Sequence, residues 1–126
     1  MRVIIIGGVA GGMSAATRLR RLDESAEIIV LEKSGHVSYA NCGLPYYVGG
    51  VIENEKDLLL QTPASLHARF RLDVRVSTEV LAINPSKKTV AVKNLISGES
   101  SELDYDKLIL SPGASPVVPP IPGIER

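Results

Sequence analysis

The sequence has little cysteine, no net charge and no long apolar run. Cys42 is the only cysteine among 126 residues, so the chain cannot form an internal disulfide, and we predict a cytosolic protein rather than a disulfide-stapled secreted one. The 14 basic and 14 acidic residues balance each other, which excludes a bulk electrostatic attraction to nucleic acid or to a membrane surface. No stretch approaches the roughly 20 consecutive apolar residues that span a bilayer. We therefore predict one ordinary domain, or part of one, with no nucleic-acid or membrane partner.

The N-terminal part of the chain has the pattern of a strand, a glycine-rich turn, a helix and a second strand. Residues 2–6 are a short β-branched run, which predicts a strand buried on both faces of a parallel sheet. Four glycines between positions 7 and 12 permit a tight turn and disfavour a signal peptide. The helix predicted from near Gly11 has apolar residues at helical spacing, namely Ala15, Ala16, Leu19 and Leu22. Residues 26–32 then predict a second buried strand.

This βαβ pattern predicts a nucleotide site. Backbone N–H groups at the start of the helix can hold a pyrophosphate, and Glu32, twenty residues after Gly12, can accept the ribose hydroxyls of an adenosine. Val9 stands where the G-x-G-x-x-G motif has its middle glycine, so we expect Gly8 and Gly11 to supply the room for the pyrophosphate. The alternative is a glycine-rich turn in another kind of α/β protein, which the complete βαβ context disfavours.

The first predicted helix also has a small cationic face. Ser14, Arg18 and Arg21 lie at positions i, i+4 and i+7, away from the apolar face. The simpler interpretation is a solvated helix surface. The alternative is recognition of a phosphorylated substrate, because the planar guanidinium group of arginine suits phosphate oxygens.

The only cysteine lies in the segment Ser38-Tyr39-Ala40-Asn41-Cys42-Gly43-Leu44-Pro45-Tyr46. A short helix beginning near Cys42 would bring its sulfur to a positive helix end, which favours the nucleophilic thiolate. The alternative is a buried and inert thiol.

The second half predicts a helix and then mostly strands. Thr62 and Pro63 have the N-cap and first-position pattern of a helix that extends to Arg69 and Arg71. An antiparallel meander is predicted over residues 79–84, 88–93 and 101–105. A buried strand over residues 107–110 follows, and residues 115–123 form a proline-rich connector.

Four segments together resemble the FAD domain of the single-cysteine flavoprotein disulfide reductases. They are the glycine turn at 7–12, the pair Glu32-Lys33, the cysteine segment at 38–46, and residues 105–114. Coenzyme A-disulfide reductases are the most similar members, together with NADH oxidases, peroxidases and coenzyme A persulfide reductases. The resemblance implies an α/β fold: a Rossmann-like FAD-binding βαβ sheet with an inserted antiparallel β-meander, incomplete in this chain.

The resemblance also implies a mechanism and a set of site residues. NAD(P)H reduces FAD, and the flavin passes electrons to a mixed disulfide between Cys42 and coenzyme A, which leaves a thiolate for the next disulfide or persulfide. The implied FAD-binding residues are Gly7, Gly8, Val9, Ala10, Gly11, Gly12, Glu32, Lys33, Val80, Ser111 and Gly113. The implied coenzyme A-binding residues are Ser14, Arg18, Arg21, Ser38 and Asn41, and no residue is assigned to a metal.

The resemblance finally implies a domain arrangement. Residues 1–114 correspond to the N-terminal portion of the FAD-binding domain, with the coenzyme A and cysteine site. Residues 115–126 correspond to a connector towards an NAD(P)H domain that this chain lacks, so we expect a longer homodimeric parent and an inactive isolated fragment. Two alternatives remain open: an NADH oxidase or peroxidase that uses a Cys42 sulfenic acid, and a nucleotide-binding or redox-sensing module without turnover.

Overall fold

The computed structural model describes residues 1–125, which contain a four-stranded parallel sheet. Its strands are β1 (Arg2–Ile6), β2 (Glu27–Leu31), β3 (Asp73–Arg75) and β7 (Lys107–Leu110), in the order β3-β2-β1-β7. The central strand β1 pairs in register with β2, from Arg2 opposite Glu27 to Ile6 opposite Leu31. Both strands predicted at the N-terminus and the strand predicted at residues 107–110 are therefore confirmed.

The strand β3 is the one element of this sheet that the sequence pattern does not predict. It is only three residues long and pairs with β2 at the edge of the sheet, with Asp73 opposite Ile29 and Arg75 opposite Leu31. Its ends are charged and Arg75 forms an ion pair with Asp73 at 2.9 Å. An edge strand needs no continuous apolar run, because only part of its surface faces the core.

Three α-helices accompany the sheet within residues 1–125. They are α1 (Ala10–Leu22), the short α2 (Leu44–Val48) and α3 (Pro63–Phe70). The helix α3 begins as predicted, because the Thr62 side chain accepts a hydrogen bond from the Ser65 backbone N–H in a capping box. Among residues 1–125, no helix is long and apolar enough to cross a membrane.

The buried side of α1 differs from the predicted one at its last turn. Met13, Ala16 and Arg20 are buried, whereas Leu22 is 68% exposed. Arg20 continues the row of Met13 and Ala16 at helical spacing, and Leu22 lies about 200° around the helix from it. The prediction that Leu22 packs on the sheet is therefore wrong.

The second sheet is the predicted antiparallel meander, with β4 (Thr78–Asn84), β5 (Thr89–Asn94) and β6 (Ser100–Asp104) in sequence order. Val90 and Val92 of β5 pack with Ile4, Ile29 and Leu31 on one face of the parallel sheet.

The other face of the parallel sheet packs against helices. Val3, Ile5, Ile28 and Val30 of the two central strands lie there with residues of α1 and α3, including Met13, Ala16 and Leu66. Because alternate residues of a strand point to opposite faces, both faces of β1 and β2 are covered. This burial explains why their sequences are continuous apolar runs.

Candidate active site

The glycine turn is held by two close approaches of the backbone. Gly7 has a φ of 103°, and a Cβ there would overlap the carbonyl oxygen of Ser111. A Cβ on Gly12 would overlap the carbonyl oxygen of Gly7. Only glycine fits these two positions, so the end of β1, the start of α1 and the residue after β7 meet at one point.

The start of α1 has the features of an anion site. Val9 provides no side-chain cap, and the first turn of the helix contains no acidic residue. The first backbone N–H groups of a helix have no acceptor inside it, and they favour a negatively charged ligand. Val9 has a φ of −101°, an ordinary conformation for any residue, so this turn does not need the middle glycine of the motif.

A cavity of about 440 Å³ opens beside this helix start, and we call it the nucleotide cradle. It is lined by Val9, Ala10, Gly11, Glu32, Asn41, Ser111, Pro112, Gly113 and Ala114. Three predicted residues of the turn at 7–12 (Val9, Ala10 and Gly11) and the predicted Ser111 and Gly113 after β7 therefore line one space, whereas Gly7, Gly8 and Gly12 do not line it.

Glu32 follows β2 directly and is fixed by two backbone groups. Its Oε1 accepts a 2.9 Å hydrogen bond from the Gly8 N–H, and its Oε2 accepts one of 2.8 Å from the Ser34 N–H. The half-buried carboxylate is thus oriented at the wall of the nucleotide cradle. A carboxylate in this position can accept hydrogen bonds from ribose hydroxyls.

A smaller cavity of about 160 Å³ adjoins Glu32 on the side of the meander. Gly7, Glu32, Lys33 and Val80 are among its lining residues. Lys33 Nζ lies 3.5 Å from an oxygen of Glu79. The nucleotide cradle, the oriented carboxylate of Glu32 and this side cavity fit the adenosine diphosphate part of FAD.

The cysteine segment is attached to the glycine turn by its backbone. The Ser38 N–H donates a 2.8 Å hydrogen bond to the Gly8 carbonyl, and the Leu60 N–H donates one of 3.2 Å to the Ser38 carbonyl. Ser38 has a φ of 53°, a conformation that non-glycine residues adopt infrequently. These bonds hold the loop that carries Cys42 beside the nucleotide cradle.

The thiol of Cys42 is free and exposed. The residue lies in a 3₁₀ turn, Asn41–Gly43, directly before α2. The predicted short helix near the cysteine is present as this turn followed by α2. The alternative expectation that Cys42 is buried is therefore wrong.

A cavity of about 630 Å³ surrounds Cys42, and we call it the thiol cavity. Ser14, Ser38, Asn41 and Cys42 all line it. Val9, Ala10 and Asn41 line both this cavity and the nucleotide cradle, so the two spaces adjoin. Four of the predicted substrate and catalytic residues are therefore together, next to the predicted cofactor site.

Arg18 and Arg21 lie outside the walls of the thiol cavity, on the exposed face of α1. They follow Ser14 and Thr17 along the helix, so the cationic face continues outward from the cavity. The sequence reasoning missed other lining residues that the fold supplies, namely Met13, Thr17, Tyr39, Ala40, Leu60, Gln61 and Leu66, and the cavity is also lined by Arg69 and Phe70. The i, i+3, i+4 spacing of Leu66, Arg69 and Phe70 could have indicated that these three residues share one face of α3.

The buried residue Arg20 was also missed. Its guanidinium group donates to the carbonyl oxygens of Phe70 at 2.7 Å, Arg71 at 3.1 Å and Glu24 at 3.0 Å. Burial lowers the pKa of Arg20, and the nearby charge of Arg71 lowers it further. These bonds join the end of α1 to the end of α3, so they fix one wall of the thiol cavity.

Known proteins resemble the chain along nearly its whole length. It is 46% identical to the coenzyme A disulfide reductase of Staphylococcus aureus (strain JH9) over 114 residues, which are 90% of this chain and 26% of that protein. The structure of reduced Bacillus anthracis CoADR-RHD matches with a TM-score of 0.92 and 54% identity, covering 98% of this chain and 22% of that one. An NAD-dependent persulfide reductase from A. fulgidus matches with a TM-score of 0.91 and 42% identity, covering 99% of this chain and 23% of that one.

These likenesses confirm the predicted Rossmann-like fold with its inserted meander. The chain spans about a quarter of the length of the relatives it matches. A family model described as pyridine nucleotide-disulphide oxidoreductase matches residues 1–126. The chain belongs to the pyridine nucleotide-disulphide oxidoreductase family.

Proposed function

We propose that this chain supplies the FAD-binding and thiol-bearing part of an NAD(P)H-dependent enzyme that reduces coenzyme A disulfide or coenzyme A persulfide. The observation that carries the proposal is the exposed thiol of Cys42 in a cavity that shares wall residues with the nucleotide cradle. The similarity to a coenzyme A disulfide reductase and to a persulfide reductase supports the same substrate class. Because the chain covers about a quarter of these relatives, the complete reaction belongs to a longer protein.

The FAD site of the proposal has two parts. The turn at residues 7–12, with Ser111 and Gly113, holds the pyrophosphate at the start of α1. Glu32 holds the ribose, and Lys33 and Val80 border the adenine. When bound, FAD supplies the electron pair that returns Cys42 to its thiolate form.

The chemical task of Cys42 is thiol–disulfide exchange. Its thiolate attacks one sulfur of coenzyme A disulfide, the sulfur–sulfur bond of the substrate breaks, and one coenzyme A thiolate leaves. The product is a mixed disulfide between Cys42 and coenzyme A. With a persulfide, attack on the sulfur attached to coenzyme A gives the same mixed disulfide and releases hydrosulfide. Because the described residues contain no second cysteine, the substrate supplies the other sulfur.

The substrate-binding part extends from the thiol along α1. Ser38 and Asn41 lie beside Cys42 in the thiol cavity, and Ser14 lies on the α1 wall. Arg18 and Arg21 continue this face for about 10 Å beyond Ser14, where two exposed guanidinium groups suit the phosphates of the nucleotide end of coenzyme A.

The proposal is tested by intact-protein mass spectrometry of the reduced chain after incubation with coenzyme A disulfide. We expect one adduct with the mass of coenzyme A, removed by dithiothreitol, and no adduct on the Cys42→Ser variant. An unmodified wild-type chain would contradict the assignment of Cys42 as the thiol that reacts with coenzyme A disulfide. A sulfenic acid formed with peroxide, in a chain that does not react with coenzyme A disulfide, would favour the NADH oxidase or peroxidase alternative.

A second measurement separates an enzyme from a binding or sensing module. FAD content and NADH-dependent flavin reduction are measured in the longer protein that contains these residues, first for the wild type and then for Cys42→Ser. We expect both proteins to keep FAD and only the wild type to reduce coenzyme A disulfide. A protein that binds FAD but is not reduced by NADH or NADPH would contradict the enzymatic proposal.

A further inference from the structure

Gln61 lies in the wall of the thiol cavity, directly before α3. Its side chain is half-buried and is one of the neutral polar groups that line this cavity. The segment before it, residues 58–60, is hydrogen-bonded antiparallel to residues 38–40, with the Leu60 N–H donating to the Ser38 carbonyl at 3.2 Å. The backbone before Gln61 is therefore fixed to the loop that carries the reactive thiol.

The amide group of Gln61 is oriented by the capping box of α3. The Ser65 hydroxyl accepts a 3.0 Å hydrogen bond from the Thr62 N–H and donates one of 2.8 Å to Gln61 Oε1. The carbonyl end of the amide is used in this way, whereas its NH2 end donates to no acceptor within residues 1–125. Since no buried side-chain nitrogen of these residues lacks a partner, the two N–H donors of Gln61 are accessible at the cavity wall.

The pairing of the two segments sets how far Gln61 lies from the thiol. Gln61 is two residues to one side of the pair formed by Tyr39 and Leu59, and Cys42 is three residues to the other side, in a 3₁₀ turn. At the rises of a strand and of a 3₁₀ helix, these steps add up to about 15 Å between the two backbone positions. Both residues line the same cavity, so a ligand that uses both has its acceptor well beyond the atoms next to its sulfur.

The pantetheine arm of coenzyme A has two amide carbonyl groups at different distances from its sulfur. Three bonds of an extended chain span about 3.5 Å, so the nearer carbonyl carbon lies about 5 Å from the sulfur and the farther one about 9 Å. The farther carbonyl matches the separation of Cys42 and Gln61 better than the nearer one. An amide carbonyl is also the acceptor that an amide NH2 group suits.

We propose that the side-chain NH2 group of Gln61 donates a hydrogen bond to the farther amide carbonyl of the pantetheine arm. This assignment rests on the proposed function and deepens it by naming a group that selects the arm of the substrate. Gln61 is then a specificity-determining residue, and Ser65 is a positioning residue that acts through it. A disulfide without this carbonyl leaves the Gln61 NH2 group to water and gains nothing from it.

The test uses three disulfides without phosphate. N,N′-diacetylcystamine has only the nearer amide in each arm, N,N′-bis(N-acetyl-β-alanyl)cystamine has both amides, and pantethine has both amides and the hydroxyl groups that follow them. The rate of mixed-disulfide formation on Cys42 is measured by mass spectrometry for the wild type, Gln61→Leu, Gln61→Glu, Ser65→Ala and the control His67→Leu. His67 is an exposed residue of α3 outside the thiol cavity.

We expect Gln61→Leu to react about fivefold more slowly with the two disulfides that contain the farther amide, as for the loss of one neutral hydrogen bond. Its reaction with N,N′-diacetylcystamine is expected to stay within about twofold of wild type. Gln61→Glu replaces the donors by an acceptor, so we expect at least the same loss. Ser65→Ala is expected to lose part of the preference for the farther amide, and His67→Leu to match the wild type with all three compounds.

The rates with the one-amide and two-amide disulfides are compared within each variant, so a smaller folded fraction does not change their ratio. An unchanged ratio in Gln61→Leu, whether all rates fall equally or none falls, would overturn the assignment of Gln61 while the proposed function stands. A loss confined to pantethine would also overturn it, because it would indicate contact with the hydroxyl groups. An unchanged ratio in Ser65→Ala would overturn the positioning role of Ser65. A wild-type chain that forms no adduct with these compounds or with coenzyme A disulfide would overturn the proposed function and this assignment together.

Discussion

The backbone N–H of Gly8 donates a 2.9 Å hydrogen bond to the carboxylate of Glu32, so the glycine turn and the end of the second strand are directly bonded. The same carboxylate accepts a second bond, of 2.8 Å, from the Ser34 N–H. Glu32 therefore stabilises the turn that precedes α1 and also stands at the wall of the nucleotide cradle. One side chain links the stability of this region to its proposed ability to bind FAD.

We expect Glu32→Ala to lower the free energy of unfolding by about 2 kcal/mol, because two backbone N–H groups lose a charged acceptor. Glu32→Gln keeps one acceptor oxygen and is expected to lose less. Urea denaturation measures both variants, with the exposed Glu53→Ala as the control. An equal effect of Glu32→Ala and Glu53→Ala would contradict the stabilising role.

The neighbouring glycines Gly11 and Gly12 are expected to respond oppositely to alanine. A Cβ on Gly12 would overlap the Gly7 carbonyl oxygen, whereas a Cβ on Gly11 would lie 3.6 Å from the Ser111 Cβ, an ordinary contact. Gly12→Ala is expected to destabilise the chain by about 2 kcal/mol or more, and Gly11→Ala to be neutral or to stabilise it by up to about 1 kcal/mol. Thermal or urea unfolding of the two variants measures these changes in stability. A Gly12→Ala chain as stable as wild type would contradict the close approach of residue 12 to the Gly7 carbonyl oxygen.

Arg20 is expected to contribute more to stability than the exposed arginine two positions earlier. Arg20→Met leaves the carbonyl oxygens of Phe70 and Arg71 without their side-chain donor and removes one of the two arginine donors to the Glu24 carbonyl, and we expect a loss of about 3 kcal/mol. Arg18→Met is the matched control on the same helix, with an expected change within about 0.5 kcal/mol. The measurement is the urea midpoint of each variant. Similar midpoints for Arg20→Met and Arg18→Met would contradict a stabilising role for the Arg20 hydrogen bonds between α1 and α3.

Regular elements with a strong local pattern were predictable. The two buried strands, the meander and the capped start of α3 follow from side-chain periodicity and from residues such as Thr62, whose effect is local. The edge strand β3 was not predictable, because its pairing with β2 is decided by a neighbour distant in the sequence. Leu22 was predicted to be buried because it shares a helix face with Ala15 and Leu19, whereas the buried row of α1 is that of Met13, Ala16 and Arg20.

The candidate site likewise has features that local sequence predicts and features that only the fold sets. The sequence by itself determined the glycine turn, the acid at position 32 and the single thiol in a characteristic segment, since each depends on residue type and local spacing. Only the tertiary structure decided that Arg69 lines the thiol cavity whereas Arg71 is bonded to Glu24. The two arginines are almost adjacent in the chain, and the helix end between them turns their side chains to different neighbours, which no local pattern specifies.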